Sequence, residues 1–360
     1  MNTWTLTALY LIEGYVAKIK KQSTIETNSA RLIPENTPLD EAELLRKTDD
    51  PTNFACAVLT EEEVRNLTLP KRKYLVEGLI KEESITIING FRGEGKSWFV
   101  MAIANEITWG GKMGSWKINN PVNTLIVDGE MPIDLIQDRI KRMNIGRGYL
   151  HKPAQLFIYP ECYAYRIGLH RANLLDPQWR KAILDIVTTL DIGFLVLDNL
   201  SSLAPGIDEN SKVEFDPVNR WLLELRFHKT AIAMTHHVGK SGEQRGTTCH
   251  EDHVDVSLML KRPRGYREED GCKFICRVDK DRTFITQGKQ FCLQLVELES
   301  GRLEFATVES EDGKGMRLFQ ENPNLTKKEA LEMGISKATY YRTKKKFYED
   351  GTSLTDSETP

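Results

Sequence analysis

A glycine-rich segment followed by lysine and serine is the part of the sequence best suited to chemistry. It reads Gly90-Phe-Arg-Gly-Glu-Gly-Lys96-Ser97 and matches the pattern of a phosphate-binding loop in full. In such a loop, backbone N–H groups surround a phosphate, the lysine reaches the β- and γ-phosphates, and the serine hydroxyl binds Mg²⁺. The pattern predicts a site for ATP and Mg²⁺ formed by Gly90, Arg92, Gly93, Glu94, Gly95, Lys96, Ser97 and Trp98.

Acidic residues end two later apolar runs. Asp198 closes the run Phe-Leu-Val-Leu, and Glu130 follows the run that ends at Asp128. A carboxylate in the position of Asp198 is expected to hold Mg²⁺ together with Ser97. Glu130 is the predicted general base that activates the attacking water, and Asp128 is the alternative for that role.

A pair of histidines, His236 and His237, ends another apolar run. A polar side chain there can hydrogen-bond the γ-phosphate and transmit its loss to the following loop. A zinc site is the alternative, because Cys249, His250, Asp252 and His253 follow closely. Their spacing is not a standard zinc spacing, so the sequence favours the phosphate-sensing role.

Short apolar runs alternate with helical patterns from about residue 74 to residue 298, which indicates an α/β fold with a mostly parallel sheet covered on both faces. The predicted strands of this sheet are 84–89, 123–128, 155–159, 193–198 and 230–235. The predicted helices lie near 96–109, 132–143, 177–190 and 212–227. Three further strands, 254–260, 272–278 and 290–306 with a break near Gly301, are expected as antiparallel additions to one edge.

The composition indicates a chain of ordinary globular type. It has 360 residues, 49 Lys and Arg against 52 Asp and Glu, and a net charge of −3. This balance argues against a protein that coats nucleic acid with a positively charged surface. No run of 18 apolar residues and no basic segment before an apolar one occurs, so neither a membrane partner nor a signal peptide is expected. The 6 cysteines are scattered. We therefore expect a soluble, cytoplasmic protein.

The domain organisation is predicted in four parts. Residues 1–70 form an appendage with helical patterning and a linker, 71–308 form the nucleotide-binding domain, and 351–360 form a disordered tail. Residues 309–350 form a small helical module in which Thr326 and Ser336 cap two short helices, the pattern of a helix-turn-helix.

Basic residues in this module and in two loops are candidates for nucleic-acid contacts. Loops 199–213 and 238–250 follow the predicted strands and carry Lys212, Lys240 and Arg245. The second helix of the module presents Lys337, Tyr340, Arg342 and Lys344, which would meet duplex DNA in a major groove. The alternative is a basic helix that contacts protein or faces solvent.

The order of these motifs, followed by Arg245-Gly-Thr-Thr and the strand 256–260, resembles the RecA-like ring ATPases, and most of all the RepA type of hexameric replicative helicase. The resemblance covers about residues 74–298. It implies a RecA-like P-loop core, Glu130 as catalytic base, Asp198 on the Mg²⁺ side, and His236 or His237 as γ-phosphate sensor.

The resemblance also implies a homo-oligomer, expected to be a hexamer, and an arginine finger that acts across the subunit boundary. Arg262 matches the finger position, with Lys261 as its companion. The alternatives are Arg245, Arg264 and Arg267.

Three functions are compatible with these observations. The first is an ATP-driven helicase or translocase on single-stranded DNA in the replication of a plasmid, phage or mobile element. The second is a DNA-binding initiator or regulator that uses nucleotide as a switch, and the third is a remodeller of protein partners. The motif order favours the first.

Overall fold

The structure is a computed structural model and describes residues 57–148, 152–207, 211–238 and 253–352. The chain divides into two compact units, residues 1–72 and 73–360. The described part of the first unit contains helix α1 (Glu61–Asn66), where Thr60 completes a capping box with Glu63. The predicted helix and linker within residues 1–56, and residues 353–360 of the predicted tail, lie outside the described residues.

The second unit is built on a large sheet. Its nine strands are β3 (Ile85–Gly90), β6 (Asn123–Asp128), β7 (Leu156–Pro160), β8 (Ile192–Asp198), β9 (Ala231–His237), β10 (Val256–Lys261), β11 (Lys273–Asp281), β12 (Gln290–Glu297) and β13 (Leu303–Thr307). Their order across the sheet is β13-β12-β11-β10-β3-β9-β8-β6-β7. Two small hairpins are formed by β1 (Tyr74–Val76) with β2 (Ile80–Lys81), and by β4 (Gly111–Met113) with β5 (Trp116–Ile118).

The five predicted parallel strands are all present, and the predicted fold class is confirmed. β10 differs from the expectation of an antiparallel edge strand, because it pairs in parallel with β3, with Leu258 opposite Ile88. The reason is that β10 is buried along almost its whole length, which suits an interior parallel strand. The antiparallel part of the sheet begins only at β11.

Helices cover both faces of the sheet. They are α2 (Lys96–Trp109), α3 (Ile133–Met143), α4 (Glu161–Arg166), α5 (Pro177–Thr189), α6 (Leu200–Leu203) and α7 (Lys212–Phe227). Alternate residues of β3 and β6–β9 enter two separate cores: Ile88 packs on the side of α2, whereas Ile85 and Ile87 pack on the side of Leu225 in α7. This part of the sheet thus has two buried faces, as a parallel sheet requires.

The C-terminal module consists of α8 (Glu311–Glu321), α9 (Lys327–Glu332) and α10 (Lys337–Thr352). Thr326 forms a capping box with Glu329, and the Ser336 hydroxyl accepts a hydrogen bond from the N–H of Thr339. Both predicted caps are therefore present. A small apolar core that includes Phe319 and Tyr340 holds the three helices together.

No helix in the described ranges is long and apolar enough to cross a bilayer.

Phe99 is the aromatic centre of the core beneath α2. Its ring is fully buried and lies 6.1 Å from Trp116, 5.4 Å from Phe274 and 6.2 Å from Phe305, measured between ring centroids. We expect Phe99→Ala to lower the free energy of unfolding by about 3–5 kcal/mol, because it leaves a cavity among three rings. Urea unfolding followed by tryptophan fluorescence measures this change.

The matched control is Phe227→Ala, at a side chain that is 82% exposed. Its free energy of unfolding should stay within about 0.5 kcal/mol of wild type. Equal destabilisation of the two variants would contradict the assignment of Phe99 to the core.

Candidate active site

The phosphate-binding loop joins the end of β3 to the start of α2. Gly93 and Gly95 have φ angles of 79° and 90°, a region that other residues rarely adopt. A Cβ atom on Gly95 would also lie 2.5 Å from the Cys272 sulfur in the segment before β11. Glycine at position 95 is therefore required both by the backbone and by the lack of space.

Lys96 is held inside this loop by three contacts. Its Nζ donates to the carbonyl oxygens of Gly90 (2.7 Å) and Phe91 (2.9 Å) and lies 2.9 Å from His237 Nδ1. Burial lowers the pKa of Lys96 to about 8, although nearby carboxylates, with Glu94 first, act in the opposite direction. The lysine remains mainly protonated at neutral pH.

Two carboxylates lie side by side at the ends of neighbouring strands. Asp198 in β8 is directly opposite Asp128 in β6. Asp198 Oδ1 accepts a hydrogen bond of 2.5 Å from the Thr235 hydroxyl, and the Ser97 hydroxyl also hydrogen-bonds the Asp198 carboxylate. Burial raises the pKa of Asp198, and it raises the pKa of Asp128 to about 6.

The donor set at this position fits Mg²⁺. Ser97 and Asp198 supply the hydroxyl and carboxylate oxygens that this hard cation prefers, and they already contact each other. Asp128 Oδ2 is buried without a hydrogen-bond partner and provides a further acceptor. No cluster of three or more His, Cys, Asp or Glu in metal-binding arrangement occurs among the described residues. Of the alternative zinc ligands, Cys249, His250 and Asp252 lie outside them.

Glu130 is the exposed carboxylate of the site. Asn199 Nδ2 donates to Glu130 Oε2 and also lies 3.4 Å from His237 Nε2. Asp128, the alternative base, is buried and accepts hydrogen bonds from the N–H groups of Glu130 (3.0 Å) and Met131 (2.6 Å). The geometry favours Glu130 as the group that can meet a water molecule.

Asn199 was not predicted from the sequence. It follows Asp198, is 3% exposed, and caps α6 by accepting hydrogen bonds from the N–H (3.0 Å) and hydroxyl (2.8 Å) of Ser202. The signal available in the sequence was an asparagine directly after a strand-end acid, a position that helix caps also favour. This amide connects Glu130 to His237.

The two histidines occupy different positions because neighbouring side chains of a strand point to opposite faces. His236 is buried opposite Asn89 of β3, whereas His237 is opposite Gly90 and reaches Lys96. Burial, followed by the charge of Lys96, lowers the pKa of His237 to about 4. His237 is thus a neutral imidazole at physiological pH, and it is the histidine that lies beside the phosphate-binding loop.

Arg262 lies against the phosphate-binding loop of its own chain. Its Nη2 donates to the Gly93 carbonyl oxygen and its backbone N–H donates to Glu94 Oε1, both at 3.4 Å. The guanidinium also stacks on Tyr266, 4.5 Å from the ring centroid. This placement follows from the parallel pairing of β10 with β3, which brings the carboxyl ends of both strands to one edge.

Comparisons with known proteins identify the family. A family described as an AAA domain matches residues 50–243, which is more than half of the chain. The chain belongs to this AAA-domain family. With its phosphate-binding loop and mostly parallel sheet, the protein is a RecA-like P-loop ATPase. No curated protein sequence matches the chain.

Solved structures resemble this ATPase at low identity, and the likeness concerns the fold alone. A KaiC-like protein from Pyrococcus horikoshii OT3 has a TM-score of 0.44 and 14% identity, covering 66% of this chain and 99% of that one. The flagellar accessory protein FlaH from Methanocaldococcus jannaschii has a TM-score of 0.43 and 14% identity, covering 64% of this chain and 91% of that one. A third solved structure, an ATPase domain, has a TM-score of 0.43 and 13% identity, covering 63% of this chain and 86% of that one.

Three other residues of the predicted nucleotide site have distinct positions in the ATPase. Glu94 accepts a hydrogen bond of 2.7 Å from the Phe91 N–H and thereby braces the loop. Arg92 is exposed. Trp98 packs against the core, and the Arg139 guanidinium lies over the Trp98 ring, 4.3 Å from the ring centroid. Trp98 therefore connects α2 to α3.

The predicted nucleic-acid residues are not all accessible. Tyr340 is 4% exposed and its hydroxyl donates to the Leu325 carbonyl oxygen, so the expected DNA contact is wrong for this side chain. Arg342 is partly buried and pairs with Asp312, and Lys344 is partly buried over the Tyr340 ring. Lys240 and Arg245 lie outside the described residues, as does the side chain of Lys212.

The exposed face of α10 carries Lys337 and Tyr341, one helical turn apart. Tyr341 is 53% exposed and was not predicted from the sequence. The helical periodicity of Thr339, Tyr340 and Thr343, all of them buried, leaves Tyr341 on the opposite side.

Asn199 is expected to position Glu130. We expect Asn199→Ala to lower kcat for ATP hydrolysis by about tenfold or more with little change in KM, because the base loses the amide that orients it. Steady-state kinetics separates the two parameters.

Ser202→Ala is the control, since it removes a partner of the helix cap and leaves the contact between Asn199 and Glu130 in place. It should retain most of the wild-type kcat. If kcat falls equally in both variants, Asn199 acts only as a cap.

Proposed function

We propose that this ATPase is a motor on DNA, a helicase or translocase that works as a ring, expected to be hexameric, in the cytoplasmic replication of a plasmid, phage or mobile element. The hydrolytic part of the proposal is carried by one observation. Glu130, Asn199, His237 and Lys96 form a continuous chain of contacts from an exposed carboxylate to the lysine of the phosphate-binding loop.

Three of these four residues have separate tasks in the proposed hydrolysis. When ATP binds, Lys96 would replace its contacts with two backbone carbonyls and His237 by contacts with phosphate oxygens. This replacement frees the His237 imidazole to contact the γ-phosphate. Glu130 accepts the proton of the water that attacks the γ-phosphorus as the bond to the leaving oxygen breaks. Mg²⁺, when held by Ser97 and Asp198, would supply charge neutralisation on the phosphates.

The assignment to DNA rests on the sequence resemblance to hexameric replicative helicases and on the exposed basic face of α10. Lys337 and Tyr341 combine a cation and an aromatic ring, which suit a phosphate and a base, respectively. Lys240 and Arg245 remain candidates for a second contact in the ring channel.

Arg262 is the proposed finger. It is exposed, and its guanidinium makes one hydrogen bond to the loop, 3.4 Å long, beside its contact with the Tyr266 ring. A guanidinium held this weakly can reach a neighbouring nucleotide. A cation supplied by the next subunit would couple hydrolysis to ring geometry. The alternatives remain Arg245 and three residues in or next to the hairpin between β10 and β11 that carries Arg262, namely Lys261, Arg264 and Arg267.

A mixing experiment tests whether Arg262 acts on the neighbouring subunit. Arg262→Ala and Glu130→Ala should each have low kcat. In an equimolar mixture, about a quarter of the head-to-tail interfaces would combine an intact Glu130 with an intact Arg262 and recover activity. Activity equal to the mean of the two parents would place the action of Arg262 within its own subunit.

An initiator or regulator that uses ATP as a switch is the second candidate. The observation that favours it is the packing of the C-terminal module beside the Arg262 hairpin, where Gly265 closely approaches Glu311 of α8. This contact would let a nucleotide-dependent movement reach the helices proposed to bind duplex DNA.

ATP hydrolysis with and without single-stranded DNA tests the proposal. We expect single-stranded DNA to stimulate hydrolysis, and Lys96→Ala to lower kcat/KM by about 100-fold or more because the phosphates are deprived of their main protein cation. Lys112→Ala, at an exposed lysine of the β4–β5 hairpin, is the matched control and should behave as wild type. Hydrolysis that DNA leaves unchanged would contradict the motor and favour the switch.

A further inference from the structure

Arg139 is a cation on the inward face of α3. The buried residues of this helix, Ile136 and Met143, belong to the core beneath α2, and Ile140 packs against the same core. Arg139 comes three residues after Ile136 and four before Met143, so it falls on the same stripe of the helix. An arginine in such a stripe takes a place that the helical pattern reserves for an apolar side chain. Its charge therefore needs a physical reason.

The Arg139 guanidinium is held beside the start of α2. It lies over the Trp98 ring, 4.3 Å from the ring centroid, and Trp98 directly follows Ser97 in the chain. Nη1 of Arg139 is buried without a hydrogen-bond partner, and Arg139 forms no salt bridge with any residue in the described part of the chain. A partly buried guanidinium without a direct partner is unfavourable unless other charges nearby balance it.

The carboxylates of Asp198 and Asp128 are the charges that balance it. Burial lowers the pKa of Arg139, and these two carboxylates, Asp198 before Asp128, act in the opposite direction. Burial raises the pKa of Asp128, and the charge of Arg139 is among the influences that lower it. Asp128 Oδ2 is, like Arg139 Nη1, buried without a hydrogen-bond partner. An unused acceptor and an unused donor thus influence each other without direct contact.

The two carboxylates also need a cation. Asp128 and Asp198 are opposite each other on neighbouring strands, and the charge of Asp198 adds to the effect of burial in raising the pKa of Asp128. Lys96 interacts with Asp198 from the phosphate-binding loop, but its Nζ is also held by two carbonyl oxygens. Arg139 adds a second positive charge, which comes from α3.

We propose that Arg139 is a built-in counter-cation for the carboxylates that would hold Mg²⁺. In the protein without nucleotide, it balances part of the negative charge of Asp128 and Asp198 and thereby weakens the binding of free Mg²⁺. The site attracts the metal strongly only when ATP adds the charge of its phosphates. Arg139 is a positioning residue for metal entry, because it acts through the two carboxylates. The proposal rests on the Mg²⁺ site at Ser97 and Asp198 and is independent of any action on DNA.

Binding of Mn²⁺, used in place of Mg²⁺, to the full chain without nucleotide tests the proposal. Electron paramagnetic resonance of the free ion measures the affinity. We expect Arg139→Met to tighten Mn²⁺ binding by about tenfold, because the repulsion between a fixed cation and the metal is removed. A methionine of similar length can still pack on Trp98. Arg139→Lys keeps the charge and should stay within about twofold of wild type.

A second neutral variant guards against a folding defect in Arg139→Met. Arg139→Gln should give the same tightening of Mn²⁺ binding, and circular dichroism with thermal unfolding shows whether each variant folds. Wild-type Mn²⁺ affinity in a folded neutral variant would overturn the proposal. Arg139 would then only connect α2 to α3 through its contact with Trp98.

Lys141→Met is the matched control, because it removes one positive charge from an exposed position of the same helix. It should bind Mn²⁺ as wild type does. Equal tightening by Lys141→Met and Arg139→Met would reduce the effect to net charge and overturn the proposal.

Asp198→Asn identifies the site that is measured. This variant should weaken Mn²⁺ binding both alone and together with Arg139→Met. Unchanged binding in Asp198→Asn would overturn the assignment of the metal site and the proposal with it. The response of hydrolysis to DNA, which tests the proposed function, does not enter this measurement.

Discussion

The parallel pairing of β3 with β9 on one side and with β10 on the other is the constraint on which the whole site depends. Gly90 at the end of β3 is opposite His237 in β9 and Leu260 in β10. Parallel strands bring their carboxyl ends to the same edge, so the phosphate-binding loop necessarily emerges between a histidine and the hairpin that carries Arg262. A slip of one residue in either pairing would turn these side chains to the opposite face.

Burial of charge is the second organising feature. Asp128 and Asp198 face each other from adjacent strands, and burial raises the pKa of both, because a low-dielectric setting disfavours the charged forms. Lys96 is buried close by, and its pKa is lowered for the same reason. Such a site gains from any ligand that brings phosphates to the lysine and a cation to the carboxylates.

The antiparallel strands β11–β13 extend the sheet beyond the parallel core. They supply the face against which the C-terminal module stands, and Cys272, just before β11, limits the space behind Gly95. The same part of the fold therefore supports the phosphate-binding loop and leads into the C-terminal module.

The sequence by itself determined the local features of this protein. The P-loop, the strand-end acids, the five parallel strands and the caps at Thr326 and Ser336 follow from residue types and short spacings, which act over a few neighbouring residues. The sequence did not distinguish His236 from His237, and it did not identify Asn199. Those choices depend on which residue of one strand lies opposite which residue of another.

Only the tertiary structure decided that β10 is an interior parallel strand, that Tyr340 is buried, and that Arg262 touches its own loop. The physical reason is that strand register and helix packing are set by contacts between residues far apart in the chain. The buried face of α10, for example, is decided by packing of Tyr340 against Phe319 of α8, an earlier helix of the module. The spacing of residues in the sequence therefore identifies the candidate side chains of the site. Packing between distant residues decides which of these side chains are placed to act in it.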